Sequence, residues 1–263
     1  MSATLVKSGY APVNGLQMYY EIHGEGKPLV LIHGGGSSIY VTFGNILPHL
    51  AQYTQIIAVD LQAHGRTSDR DAPETFEQDA DDVAALIEYL GIQKANIFGF
   101  SNGANTTMQV AVRHPDIVDH LIVASGFYKR DGVYPWLWDF LQEKAELSNM
   151  PQPLQDAYMQ LNNDVEGLRN MHNKDRDRMC NFKDWSDDDI RGINSPTLIM
   201  IGDRDVVTPE HAVAMYRLLP NARVCILPGG HGDYIGELLM NPKYQDAPER
   251  TAGIIKDFLE HNA

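Results

Sequence analysis

Apolar residues along this chain gather into short continuous runs more often than they alternate with polar ones. Leu29–Ile32 in "KPLVLIHGGG" is the first such run. "TQIIAVD" (Thr54–Asp60), "ANIFGF" (Ala95–Phe100), "DHLIVAS" (Asp119–Ser125), "PTLIMIGD" (Pro196–Asp203) and "ARVCILPG" (Ala222–Gly229) repeat it. Runs of this length, bounded by turn residues, read as strands buried on both faces. An earlier segment, "GLQMYYEIHG" (Gly15–Gly24), does alternate and follows Asn14-Gly15, which predicts an antiparallel hairpin.

Helical patterns lie between several of these runs. "TFEQDADDVAALIEYLGI" opens on a capping threonine, Thr75, carries acids in its first half and closes on Gly91. "NTTMQVAVRHP" and "TAGIIKDFLEHN" are also amphipathic. Strands alternating with helices predict a mostly parallel sheet covered on both faces. Right-handed crossovers then bring the strand C-termini to one edge, where α/β proteins carry their sites.

One interval breaks the rhythm. From Phe127 to Gly192 there is no buried-strand run, only aromatic, methionine-rich and charged segments such as "YPWLWDFLQEKAEL" and "NMHNKDRDRMCNFKDW". A structureless loop of that length does not suit a compact domain. The expectation is a core made of residues 1–126 and 193–263, with residues 127–192 inserted as a small helical lid.

Composition narrows the function. The 263 residues carry 21 Lys and Arg against 35 Asp and Glu, a formal charge of −14 that repels phosphate backbones and argues against a nucleic-acid partner. The acidic clusters Asp79, Asp81, Asp82 and Asp187–Asp189 read as solvated helix faces and turns. Two cysteines, Cys180 and Cys225, make neither a disulfide framework nor a CxxC site. "MSATLVKSGYAPV" lacks the basic and apolar regions of a signal peptide, and no apolar run reaches the ~20 residues of a membrane span. A cytoplasmic protein with no membrane span is expected.

The chemistry centres on "NIFGFSNGAN", in which Gly99, Ser101 and Gly103 form G-x-S-x-G between a predicted strand and a predicted helix. A sharp strand-to-helix turn would expose the Ser101 hydroxyl, and strand and helix crowd so closely there that positions 99 and 103 must be small. A serine needs a base. Of ten histidines, His231 in "LPGGHGDY" follows the last predicted core strand in a glycine-rich loop. The base needs an acceptor, and Asp205 in "IGDRDVVTP" is preferred to Asp203, which suits a turn-shaping role. The oxyanion donors expected are the N–H groups of Gly35, from "HGGGSS", and Asn102, with Gly34 as the substitute donor. No G-x-x-x-x-G-K-[ST] is present, so these glycines are not read as a phosphate loop. No cofactor or metal is expected.

At these residues the sequence resembles the α/β-hydrolase superfamily over nearly its whole length. "HGGG" looks like the oxyanion loop, "GFSNG" the nucleophile elbow, "GDRDVVTP" the acid loop and "GGH" the histidine loop. "DLQAHGRTS" (Asp60–Ser68) is similar to the family turn D-x-x-G-H-G-x-S, with Ala63 where glycine is usual. The resemblance implies an eight-stranded, mostly parallel sheet with helices on both faces and a lid after the sixth strand. It also implies a Ser101-Asp205-His231 triad.

The function expected is hydrolysis of a carboxylic ester or related acyl bond of a small, largely apolar substrate. Two alternatives stand beside it: carbon–carbon bond hydrolysis of a β-diketone-like ring-cleavage product, and a ligand receptor that retains the triad. Trp136, Trp138 and Phe140 of the lid are candidates, with Gly34, for lining the substrate pocket. Tyr128, Met150, Tyr158 and Met159 are weighed for the same role. The partners expected are a small-molecule substrate and, at most, a second copy in a homodimer.

Overall fold

Every buried run identified in the sequence becomes a strand of one sheet in the computed structural model, which describes residues 5–261. The strands are β1 (Leu5–Val13), β2 (Leu16–His23), β3 (Pro28–Ile32), β4 (Gln55–Val59), β5 (Ala95–Phe100), β6 (Val118–Ala124), β7 (Thr197–Arg204) and β8 (Ala222–Gly230). Their spatial order is β1-β2-β4-β3-β5-β6-β7-β8. Only β2 runs against its neighbours; β3 through β8 pair in parallel. The β1–β2 hairpin turns at Asn14 and Gly15, with φ of 46° and 85°, as the Asn-Gly pair predicts.

Helices α1 (Ile39–Phe43), α2 (Leu47–Leu50), α3 (Phe76–Tyr89), α4 (Asn102–Arg113), α5 (Pro135–Glu143), α6 (Gln152–Asn162), α7 (Val165–Cys180), α8 (Asp187–Arg191), α9 (Pro209–Leu218) and α10 (Ala247–His261) complete the chain. The period-2 geometry of each strand splits its apolar run between two layers. Val30, Ile32, Ile57, Val59, Ile199 and Ile201 pack with side chains of α3, α4 and α9. Leu29, Leu31, Ile56, Ala58, Leu198 and Met200 pack with α1, α2 and α10. Both faces of the sheet are therefore covered, which is why these strands show no polar alternation.

Two expectations differ from what is observed. The run "ARVCILPG" forms β8, but β8 is the outer strand, so its residues, Cys225 included, are mostly half-buried or exposed. Asp79 and Asp82 are not solvated: both are 1% exposed, Asp79 bonded to Arg178 at 2.6 Å and Asp82 to Arg70 at 2.6 Å. Arg178 lies 99 residues from Asp79, and Arg70 lies in the loop before α3, 12 residues from Asp82, so helical spacing alone did not reveal either partner.

Between β6 and β7 the described residues form α5 to α8 and no strand. Packing within this segment centres on Trp138 and Phe182, whose rings stack at 6.3 Å, with Phe127 edge-on to both. An isolated bridge between Val133 and Val207 ties it to the loop after β7. No helix of the described residues is long and apolar enough to cross a membrane.

Candidate active site

His33, Asp60, Ser101, Ser125, Asp205 and His231 follow β3, β4, β5, β6, β7 and β8 respectively. Parallel pairing of these strands gathers all six at the C-terminal edge of the sheet. Ser101 stands at the β5–α4 junction with φ of 55°, a conformation that a non-glycine residue occupies only under constraint. The constraint is steric. A Cβ on Gly99 would collide with the Gly103 carbonyl, and one on Gly103 with the carbonyls of Ile32 and His33.

Ser101 Oγ lies 3.0 Å from His231 Nε2, and His231 Nδ1 lies 2.6 Å from Asp205 Oδ1. Nδ1–H donates to the carboxylate, so Nε2 is the acceptor for the serine hydroxyl. Asp205 is 5% exposed and accepts further bonds from Ser125 Oγ at 2.5 Å, Gly202 N–H at 3.1 Å and Val206 N–H at 2.7 Å. Burial works against its ionised form, but the charge of His231 and these hydrogen bonds hold the carboxyl below the usual range. Burial likewise opposes protonation of His231, and the charge and hydrogen bond of Asp205 outweigh it and raise the imidazole above its ordinary value. Asp203 instead accepts the Gly229 N–H at 2.8 Å, bridging the ends of β7 and β8.

The glycine turn after β3 is held from beneath. His33 is fully buried; its Nδ1–H donates to Gly34 O at 2.7 Å, and its Nε2 accepts the Leu61 N–H at 3.0 Å. Burial, with the nearby charge of His64, pushes its imidazole down to about 3, so it stays neutral. The Gly34 N–H is taken by Thr42 Oγ1 at 3.2 Å. Gly35 N–H and Asn102 N–H have no hydrogen-bond partner among the described residues. A Cβ on Gly34 would lie 3.3 Å from Ser101 Cβ, which puts this turn directly beside the serine.

A buried ionic cluster adjoins the turn, and no motif in the sequence announces it. Asp175 of α7 accepts from Gly36 N–H, from His64 Nε2 at 2.9 Å, from Asn102 Nδ2 at 3.3 Å and from Arg178. Arg178 also pairs with Asp79 and lies 3.7 Å from Glu74. His64 Nδ1 donates to Gln62 O at 2.7 Å, so both ring nitrogens carry protons. Burial opposes that charge, but Asp175 and then Glu74 raise the imidazole to about 9. Two cations thus face Asp175, Asp79 and a Glu74 whose carboxyl burial pushes up to about 8. His64, Glu74 and Asp175 bring ligand atoms within 4.8 Å of one another. With a guanidinium among them and His64 protonated, these donors already surround cations, and they make a poor metal cage. The one sequence signal was the i,i+3 spacing of Asp175 and Arg178 on a charged helix.

The turn Asp60–Ser68 carries His64. Asp60 is fully buried and accepts from the N–H groups of Ile39 and Arg66, each at 2.9 Å. Ala63, standing where glycine is usual, has φ of 60°. Its methyl packs with Met150, Leu168 and Met171, an apolar cluster from the α5–α8 segment. Met150 reaches the glycine turn, 3.2 Å from a Cβ placed on Gly36. Of the aromatic candidates, Trp136 is 56% exposed and Phe140 half-buried, while Trp138 is 8% exposed with its indole N–H bonded to Arg130 O at 2.8 Å. A groove of about 890 Å³ lies against Asp69, Glu74, Phe76, Lys174, Arg178 and Trp185; Ser101, Asp205 and His231 do not line it.

Comparison with known proteins follows the same outline. A family model described as alpha/beta hydrolase fold matches residues 27–238. Over 242 residues the chain is 26% identical to the serine hydrolase BPHL of Homo sapiens, spanning 86% of this chain and 80% of that protein. It is 32% identical over 117 residues to (E)-2-((N-methylformamido)methylene)succinate hydrolase of Acinetobacter baylyi, a match to 44% of each chain. Among solved structures, a serine hydrolase involved in carbazole degradation, the CarC enzyme, superposes with a TM-score of 0.79 at 23% identity, covering 98% of this chain and 99% of that one.

Proposed function

This chain belongs to the α/β-hydrolase family, and from that premise we propose that it is a serine hydrolase acting on a carboxylic ester or related acyl bond of a small, largely apolar substrate. The observation that carries the reading is the continuous hydrogen-bonded line from Ser101 through His231 to Asp205, at 3.0 and 2.6 Å. A strained, half-buried serine aligned with a base whose other nitrogen is fixed by a buried carboxylate suits nucleophilic acyl transfer.

Ser101 Oγ attacks the acyl carbon while His231 Nε2 takes its proton. The carbonyl electrons move to oxygen, and the N–H groups of Gly35 and Asn102 stabilise that charge. Collapse breaks the bond to the leaving alkoxide, which leaves with the proton from His231. Water, deprotonated by the same nitrogen, then attacks the acyl-enzyme and releases the acid and free Ser101. Asp205 holds the imidazole in the required tautomer throughout. Residues 127–192 act as a lid, and its methionine-rich inner cluster around Met150 and Met171 supplies the apolar wall near the glycine turn.

A panel of esters, lactones, amides and β-diketones, run against the native protein and Ser101→Ala, tests the reading. Small activated esters should be turned over by the native chain, with Ser101→Ala slower by at least about a thousandfold. Undiminished activity in that variant removes Ser101 from the mechanism. Faster turnover of β-diketones than of esters would keep the triad and change the bond class.

A further inference from the structure

We propose that Asp175 is a positioning residue for the oxyanion pocket, bracing both of its walls from the helical segment. The proposal rests on the serine-hydrolase reading above and adds to it a component that lies outside the triad and the two donor loops.

One wall is the glycine turn after β3, the other the start of α4 after Ser101. The Asp175 carboxylate bonds to each: Gly36 N–H on the first, Asn102 Nδ2 on the second. Gly36 adjoins Gly35, and Asn102 adjoins Ser101, so each contact lies within one residue of a proposed oxyanion donor. The fit between the walls is tight. A Cβ on Gly35 would collide with Asn102 Nδ2 and lie 3.1 Å from Asp175 Oδ2. Backbone N–H donors stabilise a developing oxyanion only when they are held in place before it forms, and small displacements are costly.

An unneutralised carboxylate beside a developing oxyanion would repel it. Here His64 and Arg178, both buried, donate directly to the same carboxylate. Their charges cancel its field locally and leave its geometry. Asp175 therefore acts through Gly36 and Asn102 and does not touch the reacting atoms. This also accounts for Asn102: its N–H faces the pocket as a donor, while its side chain ties the elbow to the helical segment.

The test compares native protein, Asp175→Asn and Asn102→Ala with p-nitrophenyl butyrate as substrate. A fluorophosphonate counts reactive Ser101, and a phenylboronic acid, whose Ser101 adduct is tetrahedral and anionic, reports on the oxyanion pocket. In Asp175→Asn, kcat should fall about 10- to 100-fold with KM within about threefold. Boronate inhibition should weaken by the same factor, and the fluorophosphonate endpoint should stay at one site per chain. Purely structural damage would lower the endpoint and leave kcat per labelled site intact. Asn102→Ala leaves the ionic cluster whole and should show the same split, so it decides the matter if Asp175→Asn does not fold. Values of kcat and boronate inhibition within about twofold of native in the folded variant overturn the proposal. Failure of the native chain to label at Ser101 overturns the serine-hydrolase reading and this proposal with it.

Discussion

Ser125 donates its hydroxyl proton to Asp205 Oδ2 over 2.5 Å, from the residue immediately after β6. Tyr234 OH lies 2.7 Å from the same hydroxyl, and with the Ser125 proton committed to the carboxylate, Tyr234 is the donor there. Ser125, like Ser101, has φ of 55°, so two strained serines flank the ends of adjacent strands. Ser125→Ala removes a charge-assisted bond from a buried carboxylate. Loss of about 1.5 to 3 kcal/mol of stability is expected. A fall in kcat of roughly 3- to 10-fold with KM unchanged should accompany it, because Asp205 loses one of the contacts that fix its orientation. Denaturant melts and steady-state kinetics on the same preparation check both numbers.

Asp205→Asn keeps the shape of the acid and removes its charge. The carboxylate raises the His231 imidazole above its ordinary value, so with His231 as the proposed base the native rate should fall on the acid side as it gains a proton. Without that charge the acid limb of kcat/KM should move to lower pH. The rate itself should drop on the order of a thousand- to ten-thousandfold, since the amide no longer enforces the tautomer with Nδ1–H. A pH–rate profile whose acid limb does not move would remove Asp205 from control of His231.

The strands, the elbow and the line through His231 were legible because each is written locally: an apolar run, a G-x-S-x-G, a histidine just past a strand. Turn chemistry did not separate Asp203 from Asp205: Asp205 accepts the Gly202 and Val206 N–H groups of its own turn, while Asp203 reaches across to Gly229. What stayed hidden are partnerships that only tertiary packing creates. Asp175 and His64 are 111 residues apart, and Asp79 and Arg178 are 99 apart. Nothing in "ADD" or "NKDRDR" says which charge will be buried. Ser125 ended a predicted strand, and its neighbours carried no motif.

Crowding at the elbow can be separated from glycine's general effect on stability by two substitutions. A methyl on Gly103 meets the backbone carbonyls of Ile32 and His33, which cannot move without disturbing β3. Gly103→Ala should cost more than about 4 kcal/mol or prevent folding. Gly253 lies inside α10, and a methyl added there would meet nothing within 4 Å. Gly253→Ala should therefore stabilise by about 0.5 to 1 kcal/mol through helix propensity. Thermal melts of the two variants should move in opposite directions.

Trp136 and Trp138 lie two residues apart on α5 and meet different surroundings. Trp138 is packed against Phe127 and Phe182, with Arg130 over its ring at 4.0 Å. Trp138→Ala should lower stability by about 3 to 5 kcal/mol. Trp136 is exposed, so Trp136→Ala should change stability by no more than about 0.5 kcal/mol. A rise in KM for esters in Trp136→Ala, at unchanged melting temperature, would assign that side chain to the substrate.

The buried cluster predicts that stability declines on the alkaline side. Glu74 is 4% exposed, and neither carboxyl oxygen has a hydrogen-bond partner among the described residues. Burial raises its carboxyl from an ordinary 4.5 to about 8 against the pull of His64 and Arg178. A group whose pKa is raised on folding holds its proton more tightly in the folded chain. The Glu74 contribution is therefore fully present below about pH 4.5 and is lost as pH rises through about 8. His64 has the same sign in a higher window, present below 6.5 and lost through about 9. Glu74→Gln keeps the side chain's shape and removes the lower of these two titrations. Its melting temperature should fall less than the native value between about pH 5 and pH 8, then decline with His64 toward pH 9. Melts followed by circular dichroism at half-unit pH steps make the comparison. Parallel native and variant curves would mean that Glu74 is already ionised in the folded chain and that the cluster carries a net negative charge.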